Sequence, residues 1–96
     1  MNSLCRIPKK KDNLAWQVID GQAVIMILDM NAPKDTDIEI LNETASRIWE
    51  LIDGENSTQK IITKITGEYD ISLSDAKKDI TFLLGRMVEK GIIEIV

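Results

Sequence analysis

Apolar and polar residues alternate with a period of two over the first part of the chain and with a period near 3.6 thereafter, so a strand-forming segment precedes a helix-forming one. Leu14, Trp16 and Val18 alternate with Ala15, Gln17 and Ile19, and Asp20-Gly21 then supplies the pair that a type I′ hairpin turn prefers. With that turn setting the register, Trp16 falls opposite Ile25 and Leu14 opposite Ile27, which makes one face of the hairpin wholly apolar. Asp29 to Thr36 contains Asn31, Pro33, Lys34 and Asp35 and reads as a loop. Asp37-Ile38-Glu39-Ile40-Leu41 alternates again. It is expected as a short third strand at a sheet edge, with Ile38 and Ile40 inward and Asp37 and Glu39 outward, where charge discourages indiscriminate pairing.

The period changes at Asn42, and the stretch Leu41 to Gly54 passes directly from strand to capped helix. Asn42 is a favourable N-cap, Glu43 meets the positive end of the helix dipole, and Ala45, Ile48, Trp49 and Ile52 form one stripe. Gly54 closes this helix. A second helix begins after Ser57 or Thr58 and buries Ile61, Ile62, Ile65 and Tyr69, with Gly67 weakening its last turn. The third is the longest: Ser72 and Asp75 fit a capping box, and Leu73, Ala76, Ile80, Leu83, Leu84 and Met87 share one face. Gly91 ends it, and Ile92 to Val96 is expected to add a terminal strand. Trp16 and Trp49 both fall on apolar faces and read as anchors of the core between sheet and helices, their indole N–H groups near a boundary.

These elements define an α+β chain: a three-stranded antiparallel sheet followed by a three-helix, winged-helix-like bundle. Its 96 residues suffice for one domain with a modest core, and 44% hydrophobic with 29% charged residues suits a globular protein. No apolar run approaches a membrane span and the N-terminus lacks a signal-peptide core, so a cytoplasmic location is expected. With one cysteine and no histidine, Cys5 has no internal disulfide partner and no activating base, and an ordinary metal cluster is not expected. The formal net charge is −4, yet Arg6, Lys9, Lys10 and Lys11 are all positive. Residues 1–12 therefore read as a basic flexible tail ahead of a more acidic domain at residues 13–96.

A winged-helix outline raises DNA binding, but the candidate recognition helix opens with Ser74, Asp75, Lys77, Lys78 and Asp79, two lysines offset by two carboxylates. An acidic domain is also repelled by phosphate backbones. For catalysis, Ser57, Ser72 and Ser74 lack a base and act more economically as caps, while the Asp75/Asp79 and Glu39/Glu43 pairs read as solvated surface. The glycines are single, without a phosphate-cradling loop. No catalytic role and no cofactor are expected.

Leu41-Asn42-Glu43-Thr44-Ala45, Ile48-Trp49-Glu50-Leu51, Asp53-Gly54, Glu68-Tyr69-Asp70, Asp79-Ile80, Leu83-Leu84, Met87 and Gly91-Ile92 together resemble the PqqD family of coenzyme PQQ synthesis D proteins and RiPP recognition elements, over about residues 14 to 95. The resemblance implies a non-catalytic chaperone that binds the leader of a ribosomally made precursor peptide as an added strand and presents it to a modifying enzyme, often a radical SAM enzyme. It places the leader against Asp37, Ile38, Glu39, Ile40 and Leu41 and beside one flank of the third helix. Ala76, Leu83 and Met87 border the apolar arc there and are candidates for the groove, whereas Ile80 and Leu84 read as core. Met87 suits either a groove or a core. Phe82 lies opposite this stripe, and with Arg86 it forms a candidate contact for the modifying enzyme or a second copy; an isolated exposed aromatic also needs no function. The acidic domain favours a leader with basic residues. Partners are thus expected to be a leader peptide and an enzyme, without nucleic acid or membrane, the chain being a monomer or weak dimer. Two other readings stay open: a winged-helix DNA-binding or regulatory protein, and an interaction domain without a peptide ligand.

Overall fold

The computed structural model describes residues 6–28 and 38–96, in the order β1 (Pro8–Lys10), β2 (Leu14–Ile19), β3 (Gln22–Ile27), β4 (Ile38–Ile40), α1 (Glu43–Leu51), α2 (Thr58–Glu68), α3 (Leu73–Glu89) and β5 (Ile93–Ile95). The expected loop before β4, together with Asp37 and Cys5, lies outside the described residues. Asp20 and Gly21 take φ values of 52° and 79°, the positive pair that a type I′ turn demands. The turn sets the register, with Trp16 opposite Ile25 and Leu14 opposite Ile27. β4 then adds antiparallel to β3, giving the strand order β2-β3-β4.

The facing of β4 differs from expectation. Ile25 is fully buried and Glu39 lies opposite it, so Glu39 shares the inward face, while Ile38 and Ile40 point outward and are 55% and 63% exposed. The cause is register: the Leu41 N–H donates to the Ala23 carbonyl at 2.9 Å, and a shift of one residue would exchange the two faces. The inward position is tolerable for a carboxylate because Lys90, just beyond α3, forms an ion pair with Glu39.

The basic head also departs from a flexible tail. β1 pairs antiparallel with β5, placing Lys9 opposite Glu94, and a lone terminal strand needs such a partner to be stable. Lys11 adds an ion pair to Glu94 at 3.5 Å. Lys10 extends between two indoles, its Nζ 4.5 Å from the Trp16 ring centroid and 4.9 Å from that of Trp49, and donates to the Ile52 carbonyl at 2.7 Å. Burial holds the Lys10 amine below the usual lysine range, opposed by the nearby Asp53 and Glu50 carboxylates. The tryptophans meet edge to face at 5.7 Å. Trp49 is fully buried, and its indole N–H has no hydrogen-bond partner among the described residues, in place of the boundary position expected for it.

Each helix starts at a side-chain cap. Asn42 accepts from the Ala45 N–H, Ser57 from Lys60 and Ser72 from Asp75. The buried faces are Ile48, Trp49 and Ile52; Ile61, Ile62 and Ile65; and Ala76, Ile80, Leu84 and Met87. They close one core, with α1 on β3, α2 on α3 and β5 on α3. Leu73, in the first turn of α3, is exposed, and Tyr69 and Leu83 are only partly buried against the core.

Candidate functional site

Among the described residues β4 pairs with β3 along one side only, leaving an edge whose backbone direction follows from the ladder. In an antiparallel pair, bonded and non-bonded residues alternate. Since Leu41 bonds Ala23, Glu39 bonds Ile25, and the N–H and C=O groups of Ile38 and Ile40 face away from β3. Those groups form the open edge.

Ser46 secures the inner side of this junction. The Ala23 N–H donates to Ser46 Oγ at 2.7 Å, and the Ser46 hydroxyl donates to the Leu41 carbonyl at 3.2 Å. A serine from the first turns of α1 is thus inserted where a direct Ala23-to-Leu41 bond would otherwise close the ladder. Its side chain is buried, and both bonds hold the end of β4 against the hairpin.

Between β4 and the C-terminal half of α3 runs a groove with a cavity of about 150 Å³, lined by Glu39, Leu41, Leu83, Arg86, Met87, Lys90 and Ile92. The α3 contribution is a helical stripe of Leu83, Arg86, Met87 and Lys90, so this is the flank that faces the edge strand. Leu41, Leu83, Met87 and Ile92 make an apolar lining. Glu39 and Lys90 pair across the rim, and the Arg86 guanidinium lies 6.0 Å from the Phe82 ring centroid.

The sequence-derived residues divide accordingly. Glu39, Leu41, Leu83 and Met87 meet in the groove. Ile38 and Ile40 supply edge backbone but turn their side chains to the outer face of the sheet. Ala76 is fully buried in the core, away from the groove lining, since it lies two turns nearer the start of α3. Arg86, assigned with Phe82 to a separate contact, sits on the groove rim, while Phe82 is 67% exposed. Ser46, Lys90 and Ile92 were not singled out by sequence. Ser46 lies three residues before Trp49, a polar side chain on the apolar face; Lys90 lies seven after Leu83, on the same stripe.

Two other cavities are not lined by β4. One of about 300 Å³, lined in part by Arg6, Thr58, Gly85 and Val88, lies on another flank of α3. The second, about 220 Å³, is on the sheet around Ala15, Trp16 and Met26. The shifted titrations belong to structural contacts. Arg47 is raised and Glu68 lowered by their two-pronged hydrogen bond at 2.8 and 2.9 Å, and Asp53 is lowered by the Asn56 and Glu55 N–H groups it accepts. Among the described residues no group of three His, Cys, Asp or Glu side chains is placed to hold a metal ion, and no helix is long and apolar enough to cross a membrane.

Compared with known proteins, residues 30–93 match the family model described as coenzyme PQQ synthesis protein D (PqqD). The fold is similar to that in the solved structure of TbiB1 in complex with the TbiA(beta) leader peptide, with a TM-score of 0.78, 23% sequence identity, and coverage of 90% of this chain and 94% of that one. No curated protein matches.

Proposed function

The chain belongs to the coenzyme PQQ synthesis protein D (PqqD) family, and on that premise we infer that it binds the leader segment of a ribosomally made precursor peptide and presents it to a peptide-modifying enzyme. The observation that carries this reading is the open edge of β4 lying directly beside an apolar groove. An extended peptide completes the ladder through the outward N–H and C=O groups of Ile38 and Ile40, with affinity largely independent of side chains. Alternate peptide side chains then fall on opposite faces. One set meets Leu41, Leu83 and Met87 in the groove; the other extends the outer face beside Ile38 and Ile40. The similar fold of TbiB1 was solved in complex with a leader peptide, which supports a peptide as the ligand.

In this reading the chain holds substrate and does no chemistry itself, which leaves the reaction to the partner. A radical SAM enzyme is the partner class that the family suggests.

Ile40→Pro tests the mode. Proline removes the one outward N–H of Ile40, and because that group faces away from β3, the β3–β4 ladder keeps its bonds. Calorimetric titration with the short precursor peptide encoded nearest this protein should show micromolar or tighter binding to the unaltered chain and a loss of at least about tenfold in Ile40→Pro, with circular dichroism unchanged. Equal affinity of the folded variant excludes strand addition at β4.

A further inference from the structure

The overall charge of −4 points toward a basic peptide, but the groove itself has the opposite character. Two cations, Arg86 and Lys90, stand one helical turn apart on its α3 wall, and the single carboxylate in its lining, Glu39, is already engaged by Lys90. Arg86 has no carboxylate partner among the described residues; its described neighbour is the Phe82 ring. A guanidinium presents a planar fork of donors that matches a carboxylate in a two-pronged pair. Beneath it, the cavity of about 150 Å³ is the size that holds one benzene-sized group, lined by four apolar side chains.

We propose that the groove selects an acidic-apolar leader segment, in which one apolar side chain fills the cavity while a neighbouring Asp or Glu pairs with Arg86. Arg86 is then a specificity-determining residue of the peptide site and not a separate enzyme contact. The proposal rests on the strand-addition reading above. Charge on the remainder of the domain acts differently: it affects the rate of encounter, whereas a fixed cation beside the docked strand sets which sequence stays. The Glu39–Lys90 pair has a part in this, since it keeps the one groove carboxylate from repelling an incoming acid.

The test is selection of random twelve-residue displayed peptides on the full chain, run in parallel on Arg86→Glu, Arg86→Gln and Ile40→Pro. The unaltered chain should enrich peptides carrying Asp or Glu at a fixed spacing from an apolar residue, and Arg86→Glu should exchange that preference for Lys or Arg. Replacing the acid by its amide in the best selected peptide should cost about tenfold in affinity, the scale of one charge-assisted hydrogen bond. The same replacement should cost almost nothing against Arg86→Gln. Peptides that need an intact β4 edge, being lost with Ile40→Pro, but that show no acid preference or one unchanged by either Arg86 variant, overturn the acidic assignment and leave strand addition standing. Enrichment of no peptide that Ile40→Pro fails to retain overturns both.

Discussion

Ser46→Ala removes a single oxygen that joins the sheet to the first helix. Ser46 is 2% exposed, accepting from the Ala23 N–H at 2.7 Å and donating to the Leu41 carbonyl at 3.2 Å. Without Oγ the Ala23 N–H is left buried with no acceptor, a cost of about 1–3 kcal/mol. The half-buried Leu41 carbonyl loses a donor worth about 0.5–1 kcal/mol, and alanine's better helix propensity offsets about 0.5 kcal/mol. The net expectation is a loss of about 2 kcal/mol, or roughly 8–16 °C in melting temperature for a domain of this size. Urea unfolding followed by Trp16 and Trp49 fluorescence measures it, with Thr81→Val as a comparison. Thr81 also donates to a helix carbonyl, at 2.7 Å, but it is exposed, so its loss should stay within about 0.5 kcal/mol. An Ser46→Ala midpoint equal to the unaltered protein's, at equal slope, refutes the reasoning. It would mean that the Leu41 carbonyl moves in to accept directly from the Ala23 N–H and that the hydroxyl is dispensable.

Three further outcomes are expected. Asp53 is held below its ordinary value of 3.8 by backbone N–H groups, so the stability it contributes is present above that pH and disappears as pH falls through the folded-state value; Asp53→Ala should show a shallower acid limb in thermal melts between pH 5 and 2. Gly85 sits inside α3, and a Cβ built there meets nothing within 4 Å, so Gly85→Ala should raise stability by about 0.5–1 kcal/mol in urea titrations, and a decrease would show that the adjoining cavity is less open than described. Phe82→Ser should change stability by less than about 0.5 kcal/mol and leave peptide affinity intact; if Phe82 contacts the modifying enzyme, co-purification of that enzyme falls, and undiminished recovery removes the role.

The elements best legible in sequence were those fixed by local chemistry. Asp20-Gly21 admits few turn geometries, so the hairpin register followed from two residues, and Asn42, Ser57 and Ser72 announced three helix starts. What failed was decided by partners distant in sequence. Alternation in Asp37 to Leu41 establishes that two faces exist but not which one is buried; the answer depends on Leu41 bonding Ala23 and on Lys90 reaching Glu39. The run of lysines near the start looked solvated because its counterparts, Glu94 and the Trp16–Trp49 pair, lie far along the chain. In the groove, Glu39, Leu41, Leu83 and Met87 were within reach of the pattern, while Ala76 was not distinguishable from them. A helix stripe gives the side of the helix, but only the crossing of β4 near its far end tells which turns of that stripe stay open.

The pairing of β1 with β5 ties the readiness of the groove to the order of synthesis. Ile7 and Val96 exchange backbone hydrogen bonds at 3.4 and 2.9 Å, and Ile92, just before β5, lines the groove beside α3. Strand pairing across so great a sequence separation carries the largest loop-closure cost in the chain. A nascent chain with Ile92–Val96 still inside the exit tunnel lacks β5 and, with Ile92, one wall of the groove. The groove is therefore complete only once β5 has paired, and a chain broken off before Ile92 would present the β4 edge without one wall of the groove beside it.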